Sequence, residues 1–175
     1  MNRQSVLKTG QYYAQTMIQL LIEPGRFFSD LPDQTSLAKT LGFVLISCGF
    51  FALATLLTGV FSRPMWQTAP VFFFGATGMV LVSSLIGHVT MVMILGKRSS
   101  FGTVFSLYAY ATGITLFVSW LPFLLWFTEP WKWCLVYLGF KNVCRASGRQ
   151  ALMILAVSMV IQLSLVLSVY LAFGH

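Results

Sequence analysis

The chain has 175 residues, of which 57% are hydrophobic and only 9% are charged. A soluble domain of this length needs a far more polar surface, so the composition excludes a water-soluble globular protein and indicates an integral membrane protein. The net charge of +7 comes from basic residues in short segments between apolar runs. That pattern indicates membrane orientation and contact with anionic lipid headgroups, not binding to nucleic acid.

Residues 1–36 are predicted to form an N-terminal cytoplasmic segment, ahead of a membrane domain of residues 37–175. Residues 5–22 predict a helix whose apolar face carries Val6, Tyr13, Met17, Leu20 and Leu21. This amphipathic helix either lies in the membrane interface or packs on its own bundle. The sequence then reads LIEPGRFFSDLP at residues 21–32, a segment we call the elbow. Pro24 is expected to end the preceding helix.

Five apolar segments follow the elbow, and they predict an all-α fold of five transmembrane helices in a compact bundle. The predicted bounds are 37–60, 70–95, 101–121, 127–144 and 148–173. The fourth segment is the least regular, because residues 122–130 form either a loop or the first part of a helix kinked at Pro130.

Particular residues predict where these helices begin. Ser99 or Ser100 is expected to cap the third segment. Ser147 and Gln150 have the spacing of a capping box at the fifth segment. Pro70 is expected in the first turn of the second segment, where a proline leaves no hydrogen bond unmade.

The basic residues predict the orientation. If the N-terminus is cytoplasmic, nine basic residues fall inside and only Arg63 and Lys132 fall outside. If the fourth segment alone did not cross, Lys141, Arg145 and Arg149 would move outside and the ratio would fall to six against five. The charges therefore favour five spans, with a cytoplasmic N-terminus and the C-terminus outside.

The sequence offers little for catalysis. Its four acidic residues lie outside the confident spans, so no paired carboxylates are available for proton relay or for magnesium: Glu23, Asp30, Asp33 and Glu129. Phosphate loops and metal-binding motifs are absent from the sequence. We expect a protein that is not an enzyme and that uses no cofactor and no metal.

Polar residues inside the second and third segments form two stripes. The set consists of Thr77, Ser84, His88, Ser106 and Tyr110. Such stripes either let helices approach closely and hydrogen-bond across a seam, or line a polar pocket.

The basic and aromatic residues of the predicted cytoplasmic side are candidates for lipid or partner contact. They are Arg26, Phe27, Phe28, Lys97, Arg98, Lys141, Arg145 and Arg149. The two phenylalanines either insert at the headgroup boundary or bury in a groove between helices. Inserted, they would make the amphipathic helix a wedge in the cytoplasmic leaflet; buried, they would only complete the bundle.

Three motifs in order resemble the Yip domain family of Ypt/Rab-interacting, multi-span membrane proteins. They are Pro24-Gly25-Arg26-Phe27-Phe28, the stretch from Gly96 to Ala111, and Gly139-Phe140-Lys141 followed by Ser147 and Ala151. The resemblance covers residues 20–172 and implies a five-helix bundle with a cytoplasmic N-terminus. Eukaryotic relatives act in vesicle trafficking and bind prenylated small GTPases.

This sequence departs from those eukaryotic relatives in two ways. Only about 36 residues precede the first predicted span, and the Asp-Leu-Tyr-Gly-Pro signature is reduced to Asp30-Leu31-Pro32. The chain is therefore more similar to the short prokaryotic members, which implies a bacterial inner membrane. We do not extend the family's GTPase binding to it.

Three functional hypotheses follow. The first is a non-enzymatic scaffold that organises anionic phospholipid or partner membrane proteins, including other copies of itself, in membrane shaping or trafficking. The second is a small channel or transporter for a neutral or lipidic solute, with a path around His88 and Tyr110. The third is an accessory subunit of a larger membrane complex. A transporter needs a continuous cavity between the second and third segments, whereas a scaffold needs that seam closed.

Overall fold

The computed structural model describes residues 3–31, 36–58, 64–96 and 99–173, and these are all helical or connecting segments, without strands. The helices are α1 (Arg3–Ile22), α2 (Pro24–Ser29), α3 (Leu37–Thr58), α4 (Met65–Leu95), α5 (Phe101–Leu116), α6 (Leu125–Asn142) and α7 (Gly148–Phe173). A short 3₁₀ helix, Pro122–Leu124, precedes α6. We call the end of the bundle that holds Leu95, Phe101, Asn142 and Gly148 the inner end, since it is the predicted cytoplasmic end.

Helix α5 lies at the centre of the bundle. Residues 103–111 are buried without interruption, and α3, α4 and α6 all pack against it. Glycines make this close approach possible. A Cβ at Gly113 would lie 2.9 Å from Phe43 Cδ1 of α3, and one at Gly139 of α6 would lie 2.5 Å from Leu107 Cδ1. Helices thus fit together through notches that only a glycine leaves open.

The helices differ in length. Helices α3, α4 and α7 are long and apolar enough to cross a membrane, and α5 is a shorter apolar helix of 16 residues. At 1.5 Å per residue α5 is about 24 Å long, which is less than the ~30 Å hydrocarbon layer. The described residues therefore contain three clear candidate spans, and the count of five spans stays a prediction.

Helices α5 and α6 form an antiparallel hairpin. Leu107 faces Gly139, and the rings of Tyr108 and Phe140 lie 6.1 Å apart. Both inner ends of a hairpin lie on the same side of a membrane, whether or not its tip crosses completely. The basic residues after α6 therefore stay on the predicted cytoplasmic side with three full spans or with five.

Two predicted boundaries were wrong. Helix α4 begins at Met65, so Pro70 is its sixth residue and lies beyond the first turn. Helix α5 ends at Leu116, five residues before the expected position, and the chain turns through residues 117–121. Tertiary packing overrides the apolar pattern here, because residues 117–121 form the turn although all of them except Ser119 are apolar.

Other local expectations agree with the structure. Helix α6 runs from Leu125 through Pro130, so most of residues 122–130 is helical and not a loop. Ser100 Oγ accepts a hydrogen bond from the Thr103 amide at 3.3 Å. Ser147 and Gln150 form the reciprocal capping box, with distances of 3.0 and 3.3 Å.

Helix α1 packs on the bundle through its second half. Leu20 and Thr16 are buried, and the Tyr13 ring stacks on Phe43 at 6.0 Å. Leu21, expected on the same face, is exposed. The side chain of Val6 lies outside the described part. These contacts match the packed-helix alternative, and a position in the membrane interface stays a prediction.

Candidate functional site

The middle of the elbow forms the short helix α2, which packs into the inner end of the bundle. Pro24 starts α2, where its fixed backbone angle suits a first turn. Phe28 is fully buried in the core that Leu20, Tyr110 and Phe140 also form. Of the two alternatives for Phe28, the structure therefore matches burial between helices.

Two long-range contacts hold the elbow in place. Asn142 Nδ2 of α6 donates a hydrogen bond to the Gly25 carbonyl oxygen at 2.9 Å. The half-buried Phe27 ring meets the Tyr110 ring edge-on, with centroids 5.2 Å apart. Perpendicular aromatic pairs at this distance are favourable. The elbow thus ties α1 to both α5 and α6.

Arg26 points away from this core. Its side chain is three-quarters exposed, and its guanidinium lies 3.4 Å from Glu23 Oε2 and 3.9 Å from Asp30 Oδ2. Exposed pairs of this kind contribute at most about 1 kcal/mol, so they leave Arg26 free to exchange partners.

A polar cleft of about 290 Å³ lies where the elbow meets the end of α6. Its lining residues are Phe28, Ser29, Asp30, Leu31, Asn142, Val143 and Arg145. Arg145, Lys141 and Arg149 are exposed around this end of the bundle, and none of them forms an ion pair with a described residue. We call this place the inner cleft. Its lining offers one unpaired guanidinium, that of Arg145, and one carboxylate, that of Asp30.

Arg145 has an unusual backbone. Its φ of 49° is the only positive φ among the described non-glycine residues. The turn that it makes is closed by a hydrogen bond from the Ala146 amide to the Phe140 carbonyl, at 3.2 Å. An arginine in this region costs about 1 kcal/mol relative to a glycine. A strained charged residue at a cleft is a functional candidate.

The structure separates the five predicted polar residues. Thr77 and Ser84 donate to carbonyls of their own helix, each at 2.8 Å. Ser106 instead pairs with Thr40 of α3 at 3.1 Å. Tyr110 lies against Phe43 and Phe27, on the side of α3 and the elbow. The set does not meet in one place, and its role as seam or pocket stays a prediction.

His88 is half-buried near the inner end. Its ring meets the Phe101 ring edge-on at 5.6 Å. Within the described ranges its Nδ1 has no hydrogen-bond partner. Tyr110, the other residue of the expected path, has its ring contacts with Phe27 and Phe43.

Tyr108, which sequence reasoning did not select, forms the contact between α4 and α5. A Cβ at Gly87 of α4 would lie 2.6 Å from Tyr108 Oη and 2.7 Å from its Cζ. In the described part of the chain, the Tyr108 hydroxyl and Ser158 Oγ of α7 are both buried without a hydrogen-bond partner. Asn142 was missed as well. Tyr108 is a polar residue inside an apolar segment, and Asn142 is a polar residue at the end of one. That position is the only signal in the sequence that could have marked them as functional.

Lys97 and Arg98 lie outside the described residues, as does His175 at the C-terminus. Among the residues that the structure covers, no three His, Cys, Asp or Glu side chains are grouped to hold a metal. The expectations of no metal and no cofactor remain predictions.

The family model of the Yip1 domain matches residues 18–170. The chain belongs to the Yip1 domain family. No curated protein and no solved structure matches it. The matched range takes in the end of α1, the elbow and nearly all of α3–α7. The elbow and inner cleft are thus parts of the Yip1 domain itself.

Proposed function

We propose that this Yip1-family protein is a non-enzymatic membrane scaffold that holds anionic phospholipid at its inner cleft, on the cytoplasmic side of a bacterial inner membrane. The observation that carries the proposal is the docked elbow. Residues of the elbow line the cleft together with Arg145, which forms no ion pair with a described residue. A preformed cleft with exposed cations suits a phosphate-bearing headgroup.

The charges of the cleft support an anion. Asp30 is the carboxylate in the lining, and Arg26 lies 3.9 Å from it. Arg26 is shared between Glu23 and Asp30 and so offsets the charge of Asp30 in part, and Arg145, Lys141 and Arg149 remain to attract a phosphate. Each basic residue near an anionic membrane surface contributes about 1 kcal/mol to attraction.

The close contact between α4 and α5 favours a scaffold over a transporter. The Tyr108 ring fills the notch at Gly87, which is the seam where a transport path was expected. The hydroxyl groups of Thr77 and Ser84 in α4 donate to carbonyl oxygens of their own helix. A static bundle with a binding surface at one end fits these contacts better.

The test is lipid retention by the full-length protein. It is released from nanodiscs of phosphatidylethanolamine and phosphatidylglycerol, and bound lipid is counted by native mass spectrometry. Arg145→Gln should reduce retained phosphatidylglycerol by about tenfold, because hydrogen bonds to a charged partner are worth 1.5–3 kcal/mol or roughly a factor of ten or more. Arg145→Lys, the matched control, keeps the charge and should retain most of it. Equal retention by all three proteins would contradict the proposal.

A further inference from the structure

Helix α7 leaves the bundle in its outer half. Ser158 is the last buried residue of α7 in the described structure, and after it only Gln162 is even half-buried. A helix packed along one face buries a residue every three or four positions. Residues 163–172 are exposed on every side. The outer half of α7 is therefore not packed against α6.

A groove opens between α6 and α7 at this level. It has a volume of about 680 Å³ and is lined by Leu125, Trp126, Glu129, Pro130, Trp133 and Met159. The groove is recessed, because α5 and α6 are shorter than the α4 and α7 helices beside them. We call it the outer groove. It lies at the opposite end of the bundle from the inner cleft.

One carboxylate faces this otherwise apolar groove. Glu129 is held by Lys132, whose Nζ lies 2.6 Å from Oε2 and 2.7 Å from Oε1. The Lys132 side chain is only 20% exposed, and its Nζ lies 5.1 Å from the centre of the Trp133 ring. Lys132 is not part of the groove lining, whereas the half-exposed Glu129 is. An ionised carboxylate has four lone-pair sites, so it can accept a second cationic partner.

We propose that the outer groove binds one zwitterionic phospholipid, with its ammonium group at Glu129. The indole rings of Trp126 and Trp133 also line the groove, and such rings attract ammonium groups through cation–π interaction. Leu125 and Met159 provide the apolar surface for an acyl chain. An anionic headgroup would meet the carboxylate of Glu129, whose partner Lys132 lies outside the lining, so the groups that face the groove disfavour it.

The proposal is tested by headgroup preference at this site. The full-length protein is placed in nanodiscs containing equal amounts of phosphatidylethanolamine and phosphatidylglycerol with identical acyl chains, and native mass spectrometry counts the lipid retained. Glu129→Gln removes the charge, and Glu23→Gln is the control at an exposed carboxylate far from the groove. Met159→Trp fills the groove, and Val160→Trp adds the same bulk to the next, more exposed residue of α7.

We expect the native protein to retain phosphatidylethanolamine. Glu129→Gln should reduce that retention by about tenfold, as for a lost charged hydrogen bond, and Met159→Trp should reduce it because the indole occupies the space of the acyl chain. Both controls should retain it. Retention that is unchanged in Glu129→Gln and Met159→Trp would overturn the proposal, as would a preference for phosphatidylglycerol in this groove. A dimer that dissociates only in Met159→Trp would also overturn the proposal, because the groove would then bind a second copy of the chain. Arg145→Gln should leave the retention of phosphatidylethanolamine unchanged, so this experiment tests the outer groove separately from the inner cleft.

Discussion

Replacing Gly87 by alanine tests the packing of α4 on α5 directly. The added Cβ would lie 2.6 Å from Tyr108 Oη and 2.7 Å from Cζ, distances that packed side chains do not tolerate. Tyr108 cannot easily move away, since it is 2% exposed and its ring lies 6.1 Å from the Phe140 ring. Either the ring or the whole α4 helix has to shift.

The magnitude follows from two opposing effects. Overpacking a core costs about 1–3 kcal/mol, whereas Gly→Ala inside a helix gains about 1 kcal/mol. Gly87→Ala should therefore lower the free energy of unfolding by up to about 2 kcal/mol. Gly78→Ala is the matched control in the same helix, because no atom lies within 4 Å of the Cβ it would add. It should raise stability by up to about 1 kcal/mol.

The assay is unfolding in mixed detergent micelles, followed by tryptophan fluorescence. The double variant Gly87→Ala with Tyr108→Leu should recover at least about 1 kcal/mol relative to the sum of the single effects, since the clashing atoms are gone. If Gly87→Ala is as stable as Gly78→Ala and shows no coupling to Tyr108, the seam is open and the argument against a transport path fails.

Three further changes have defined outcomes. Asn142→Leu removes the hydrogen bond to the Gly25 carbonyl, so amide hydrogen exchange in the elbow should become faster by roughly tenfold, as for about 1.4 kcal/mol; unchanged exchange would mean that the phenylalanines alone hold the elbow. Arg145→Gly relieves the positive φ and should raise the free energy of unfolding by about 1 kcal/mol while lipid retention falls; a loss of stability would refute the strain. Ser147→Ala breaks half of the capping box and should lower the free energy of unfolding in micelles by about 1 kcal/mol, and Gln150→Ala should lower it by a similar amount. If both variants unfold at the same concentration of denaturing detergent as the native protein, the cap adds nothing to stability.

Local features were predicted well. The capping box of Ser147 and Gln150, the Ser100 cap and the bounds of α7 all depend on residues within a few positions of one another. Such signals can be recognised in a short stretch of sequence, because the backbone groups that they satisfy are also local.

Long-range features could not be predicted in the same way. The elbow is held by Asn142, which is 117 residues away from Gly25. Tyr108 and Tyr110 lie two residues apart in α5 and so on nearly opposite faces. The sequence could not tell which of the two tyrosines faces α4. The candidate site included Tyr110, which faces the elbow, and not Tyr108. The early end of α5 at Leu116 likewise depends on where the hairpin has to turn.

The most direct test of the scaffold hypothesis is a native mass spectrum of the protein released gently from its own membrane. We expect a defined oligomer that carries anionic phospholipid and no small solute, with the phospholipid lost in Arg145→Gln. A monomer that retains a stoichiometric small molecule, with no dependence on Arg145, would contradict the hypothesis and favour a transport function.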